Sequence, residues 1–342
     1  MDTDLDRRTY DLLRLVDEHG PIGSIQLVEL MQLRGYDIKD RTIRLKLSEL
    51  DGLGLTEKVP GKGRRLTEQG RMELKQGDVD GRLEHIRARI ATLTSRVSYD
   101  PIEDAGVLVA SAAYLDAAAV DDALDVVERL DALPLGPVPV SLERSADNEP
   151  GDHRLLAASS ITLDGVLLAH GVNADLATAG VLEYELPEDG DASTGVERGG
   201  RITRYVDVIN GEGSSIDVIT LLVEAGRSDV SSLLDGGSGG LLIGDDRDFP
   251  MNRFEEARDL TAATRDALGG VFDFQRPREK DGTSAGSSAW AFGSVTYVGT
   301  GELVLSALAE RDLTDHWETL YGTVERNRLG AVEASRALPS DD

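Results

Sequence analysis

Cysteine is absent from all 342 residues, which excludes disulfides, thiolate nucleophiles and Cys-held zinc or iron–sulfur centres. No apolar run approaches the roughly 20 residues that a membrane helix needs. The opening stretch MDTDLDRRTY is charged where a secretory leader is apolar. A cytoplasmic setting with no membrane partner is therefore expected. Enzyme motifs are lacking too: there is no GxxxxGK(S/T) loop and no HExxH, and GEGSS and DGGSGG read as turns. The five histidines, at 19, 85, 153, 170 and 316, show no ligand spacing. No catalytic residue, metal or cofactor is expected. Lysine is scarce, at 6 of the 36 basic residues.

What is present is acid. Asp and Glu number 63 and the formal charge is −27. An acidic, lysine-poor composition resembles that of halophiles with a salt-rich cytoplasm, and the chain reads as a halophile's, with a merely acidic protein of high solubility as the competing reading. Salt makes such a surface tolerable, because the Debye length is about 3 Å at 1 M. The charge is uneven. Residues 1–99 carry a net +1, whereas residues 100–342 carry −28. One end is spared, as a segment that approaches a polyanion would be.

That end has the order helix, helix, helix, hairpin. Apolar periodicity predicts helices over Arg7–Glu18 and Ser24–Leu33, separated by HGPIGS. A third helix starts at Asp40 as N-cap, with Ile43, Leu47 and Leu50 on one face. Its opposite face exposes Arg41, Thr42, Arg44, Leu45 and Ser48, a set that can enter a major groove. Strands at Leu55–Val59 and Arg64–Thr67 flank the tip Pro60–Gly63, which reads as a wing. Lys39, Lys46, Lys62, Arg64 and Arg65 would hold the phosphate backbone of double-stranded DNA. The expected domain is a winged helix-turn-helix over residues 1–76. A solvated basic face, or a winged helix used for protein contacts, is the competing reading.

Val79, Leu83, Ile86, Ile90, Leu93 and Val97 then follow the 3.5-residue repeat of a coiled coil. Residues 77–99 are read as a linker helix, either a dimer seam or an amphipathic helix lying on the next domain. Residues 100–332 mix strand-like runs such as GVLVASAAYL, AGVLEYEL, RITRYVDVI and GGLLIG with helical ones such as DAAAVDDALDVVERLDAL and Phe254–Ala267. Leu155–Thr162 and Gly165–His170 read as short strand-like or helical pieces. This part is expected to be an α/β or α+β domain that senses a ligand, followed by an acidic tail at 333–342.

Several stretches in one order resemble the NrpR family of archaeal transcriptional repressors. They are RTIR, GLTEKV, GKGRRLTEQG and RLEHIRARI, then SYDPIEDAGVLVASAAYL, SSITLDGVLLAHGV and GSGGLLIGDDRDFP. The resemblance implies a repressor of nitrogen-assimilation genes that binds inverted-repeat operators as a homo-oligomer and releases DNA on sensing 2-oxoglutarate. Departures from the family pattern are a single regulatory domain, Leu45 and Lys46 where members often have an aromatic and a histidine, and an acidic loop at Glu188–Gly200. For the dicarboxylate effector, Ser160, Thr162, His170, Asn173 and Arg247 are the candidate ligands, with Arg201 and Arg204 nearby in sequence. The alternatives are an enzyme acting on a small acidic metabolite with an appended winged helix, or an interaction protein that has lost DNA binding.

Overall fold

The computed structural model describes residues 5, 7–33, 36, 38–77, 88–146, 149–187, 200–210, 215–277 and 291–336. It divides into two compact units, residues 1–85 and 86–342. That division falls inside the stretch expected as the linker.

The first unit packs helices α1 (Arg7–His19), α2 (Ser24–Leu33) and α3 (Asp40–Gly52) around one apolar core. Leu12, Leu13, Leu27, Met31, Ile43, Leu47 and Leu50 are buried there. Strands β1 (Thr56–Val59) and β2 (Gly63–Leu66) form the antiparallel hairpin, and α4 (Glu68–Gly77) follows. Gly63 has φ 116° and lies against the Ile22 carbonyl, where any Cβ would come within 2.0 Å of the oxygen. Only glycine lets the hairpin exchange its backbone bonds with Ile22. One capping expectation is corrected. The helix starts at Asp40, and Lys39 holds the N-cap position without a side-chain cap. The Asp40 carboxylate instead accepts the Ser24 hydroxyl at 2.8 Å, which ties α3 to α2.

The second unit begins with α5, helical over 88–94. Ile90, Leu93 and Val97 of the predicted seam pack into this unit's own core. The Arg89 guanidinium donates to the carbonyls of Leu320 (2.6 Å) and Tyr321 (3.2 Å). These residues behave as an amphipathic helix lying on its own domain; Val79, Leu83 and Ile86 lie outside the described residues.

Beyond α5 come two antiparallel sheets. One has the order β11-β3-β5-β4, from β3 (Val107–Leu115), β4 (Val140–Arg144), β5 (His153–Ala158) and β11 (His316–Glu325). The other has the order β7-β6-β8-β10-β9, from β6 (Asp175–Glu185), β7 (Arg201–Asn210), β8 (Gly239–Pro250), β9 (Val271–Gln275) and β10 (Phe292–Val298). The helices are α6 (Val120–Asp131), α7 (Ile161–Ala169), α8 (Ser215–Glu224), α9 (Ser231–Leu234), α10 (Phe254–Leu268), α11 (Thr300–Glu310) and α12 (Val332–Arg336). Successive residues of β3 face opposite ways. Ala113 and Leu115 join α6 and α11, while Ala112 and Tyr114 join α5, α7 and α10. The architecture is α+β, with helices on both faces of the four-stranded sheet.

Two boundaries differ from the sequence reading. The chain breaks at Ser159–Ser160, and 161–169 is a single helix. GGLLIG is only the first half of β8, which runs on through the charged residues Asp245–Asp248. Asp245, Asp246 and Arg247 of this charged run find their partners inside the protein.

Candidate functional site

The outward face of α3 is exposed along Arg41, Thr42, Arg44, Leu45 and Ser48, opposite the buried Ile43, Leu47 and Leu50. Lys39 and Lys62 are also exposed. Acidic neighbours moderate several of these cations. Arg44 pairs with Asp40 at 2.7 Å, Lys46 with Glu49 at 3.3 Å and Arg65 with Glu57 at 2.7 Å. Such exposed pairs are typically worth ~0–1 kcal/mol, so a phosphate oxygen can replace them. Arg64 differs. Its side chain is 16% exposed and its Nε donates to Asp51 at 2.9 Å, so it fastens the wing to the end of α3. Arg41, Lys39 and Lys62 have no ion pair among the described residues.

A second constellation forms where α7, β8 and α11 meet. Arg247 on β8 is fully buried. Its Nε and one terminal nitrogen donate to Asp164 of α7 at 2.9 and 2.8 Å. The same terminal nitrogen donates to the Ser160 carbonyl at 3.1 Å, and the other donates to Asp245 at 2.5 Å. The Ser160 hydroxyl donates to Asp245 at 3.3 Å. The Ser160 backbone N–H, just ahead of α7, donates to the Glu302 carboxylate in the first turn of α11 at 3.1 Å. One cation thus faces two carboxylates, and a third, Glu302, joins the cluster through Ser160. Asp246 turns to the other face of β8, where the hydroxyls of Thr178 (3.2 Å) and Thr296 donate to it.

The electrostatics follow from burial. Desolvation pushes Glu302 up to about 7, and the neighbouring charge of Asp245 adds to the rise. Desolvation likewise pushes Asp246 up to about 6, although hydroxyl donors pull it back. Asp245 is raised by burial despite Arg247, while Arg247 is held firmly protonated by Asp164 and Asp245 against its own burial.

The family model of NrpR regulatory domains NRD1 and 2 matches residues 83–329, most of the chain. The chain belongs to the NrpR family. That membership places it among DNA-binding transcriptional regulators and sets the enzyme reading aside. A model of the ribonuclease R winged-helix domain matches residues 10–74, in agreement with the first unit's fold. The chain is 28% identical over 253 residues to the global nitrogen regulator NrpRI of Methanosarcina mazei, covering 71% of this chain and 73% of that protein. It is 27% identical to the global nitrogen regulator NrpR of Methanocaldococcus jannaschii, covering 69% of this chain but only 40% of that longer protein. The crystal structure of a nitrogen repressor-like protein from Methanococcus jannaschii shares the fold, with a TM-score of 0.51, 20% identity, and coverage of 72% of this chain and 98% of that one.

Within the NrpR regulatory unit, the five candidate effector ligands do not form one site. Ser160 and Arg247 meet in the buried cluster. Thr162 is close by in sequence, but its hydroxyl donates to the Val109 carbonyl and accepts the Val109 N–H, locking α7 onto β3. His170 and Asn173 lie past the other end of α7, roughly 13 Å away along its axis. The His170 ring nitrogen Nδ1 bonds the Val166 carbonyl. Arg201 and Arg204 form surface pairs with Glu185 and Glu183 on β6. Asp164, Asp245 and Glu302 escaped the sequence reading, because nothing local distinguishes three carboxylates in so acidic a chain.

A pH dependence follows from Glu302. Its folded value of about 7 lies above the ordinary 4.5, so the folded state holds the proton more tightly. The stability this contributes is complete below about 4.5 and is lost as pH rises through about 7, a change of roughly 3 kcal/mol. Asp246 adds a smaller slope of the same sign. Urea titrations at fixed salt should show the wild type weakening between about pH 4.5 and 7. Glu302→Gln, which keeps the shape of the neutral acid, should flatten most of that slope. An unchanged slope would mean that Glu302 is ionised throughout.

Proposed function

We propose that this chain is a repressor of nitrogen-assimilation genes. It binds an inverted-repeat operator through α3 and the wing, and 2-oxoglutarate relieves the repression. The observation that carries the proposal is the open outward face of α3, with Arg41, Thr42, Arg44 and Ser48 exposed beside the wing cations Lys62 and Arg65. Arg41, Thr42, Arg44 and Ser48 meet base edges in the major groove. Lys39, Lys46, Lys62 and Arg65 hold phosphates, and Arg64 keeps the wing in place. Two copies of the chain cover the two half-sites. The acid-rich surface suits a cell with concentrated salt, where counterion release yields little and affinity rests on specific contacts.

The effector acts at the amino-terminal end of α7. The helix dipole and Arg247 both favour a carboxylate there. Asp245 and Glu302 now occupy the acceptor positions, so an incoming dicarboxylate takes over the Ser160 N–H and the Arg247 guanidinium from them. Exchange of these partners loosens α7 from β8 and α11. Behind α7 lies the segment that directly follows α5: a Cβ on Gly165 would come within 2.3 Å of the Val97 side chain. Movement of α7 is therefore passed to α5, from which the chain leads back to the winged helix. Ligand and DNA then oppose each other through one two-state element.

The test is selection of duplex fragments by the full chain in molar potassium salt, with and without 2-oxoglutarate. An inverted repeat should be enriched, and 2-oxoglutarate should abolish the enrichment. Absence of any enrichment would refute DNA binding. Enrichment indifferent to 2-oxoglutarate would refute the effector.

A further inference from the structure

On α3, each residue turns the helix by about 100°. The buried Ile43, Leu47 and Leu50 define the inward direction. Leu45 projects within roughly 15° of the opposite direction, closer to the crest than Arg41 or Ser48. It is 64% exposed. Arg41 precedes it by one turn and Ser48 follows it by nearly one turn, so the crest reads cation, apolar, hydroxyl. A solitary exposed leucine is ordinary on a protein surface. This one lies on the outward face of α3, in line with the exposed Arg41 and Ser48 and flanked by the exposed Arg44.

The major groove presents one apolar group among the edges of the four standard bases, the C5-methyl of thymine. We infer that Leu45 is a specificity-determining residue that packs on a thymine methyl in each half-site, between the base or phosphate contacts of Arg41 and Ser48. The inference rests on the DNA-binding reading above and deepens it. Polar neighbours on the crest supply hydrogen bonds, and Leu45 selects T·A over C·G at one step by burying a methyl that cytosine lacks.

The experiment uses the full chain and a duplex enriched by the selection described above. Each thymine is replaced in turn by uracil, which removes only the methyl, and binding is measured for wild type and Leu45→Ala. At one thymine per half-site, the wild type should lose about fourfold in affinity, the worth of one buried methyl group. Leu45→Ala should bind the thymine duplex more weakly and be indifferent to uracil at that position, so the two losses do not add. The side chain is exposed, so Leu45→Ala should unfold at the wild-type midpoint, and circular dichroism checks this. The assignment is overturned if no uracil weakens the wild type, or if Leu45→Ala keeps the full uracil penalty. If no duplex is enriched at all, it is the DNA-binding reading that fails, and this assignment fails with it.

Discussion

Replacing Arg247 with methionine should lower the stability of the regulatory unit by roughly 3–5 kcal/mol, the usual cost of removing one partner of a buried ion pair. The reason is geometric. Methionine matches much of the side chain's bulk but offers no donor. Asp164 and Asp245 would lose their shared counter-charge, and the Ser160 carbonyl would lose a hydrogen bond. Two carboxylates held in the interior without a cation must take up protons or draw in water, and either opens the junction of α7 with β8. Lysine should rescue poorly, because one ammonium cannot span the two carboxylates as the planar guanidinium does. Trp317 lies in β11 of the second unit and residues 1–85 contain no tryptophan, so tryptophan fluorescence during urea unfolding reports on the second unit. Arg204→Ala, which removes an exposed pair with Glu183, serves as control and should leave the midpoint unchanged. If the Arg247 variant unfolded at the wild-type midpoint, the buried cluster would not be what holds α7.

The same cluster shows where sequence reading stops. The winged-helix unit was legible because its signals are local. The spacing of Ile43, Leu47 and Leu50 marks the buried face of α3, and the glycines around Lys62 mark the hairpin. Its one error was also local: Asp40 looked like a cap because carboxylates often cap, but Ser24 and Arg44 compete for it. In the larger unit, long elements such as α6 and α10 were legible from periodicity, whereas strand order was not. β8 lies between β6 and β10, pairings that no local pattern records. The second half of β8 was hidden for a physical reason. Asp245, Asp246 and Arg247 look solvated in sequence, yet Arg247 is neutralised by a helix more than 80 residues earlier in the chain. Of the five effector candidates, Ser160 and Arg247 meet in one cluster, while His170 and Asn173 entered because they lie in or beside the same continuous stretch as Ser160. The linker stripe left two readings open, because an apolar stripe does not say whether it meets a partner or its own domain. For Ile90, Leu93 and Val97 it meets its own domain.

The second large effect belongs to the face of α3. Arg41 is exposed and has no ion pair among the described residues, and Arg44 is held by the half-buried Asp40 and, at 3.3 Å, by the Ser24 hydroxyl. Each arginine that contacts a guanine edge is worth about 1–3 kcal/mol of discrimination. Removing both should therefore erase most of the preference for operator over random sequence. Residual, unselective binding through Lys39, Lys62 and Arg65 should remain and should weaken with salt. Neither side chain contributes to the apolar core, so the double variant should keep its fold.

The most direct measurement is a competition in molar potassium salt. Wild type and Arg41→Ala/Arg44→Ala are each offered a selected duplex and a scrambled duplex of the same composition. The wild type should prefer the selected duplex by at least about 100-fold, and the double variant by less than about tenfold. A double variant that discriminates as well as the wild type would show that the outward face of α3 does not read DNA.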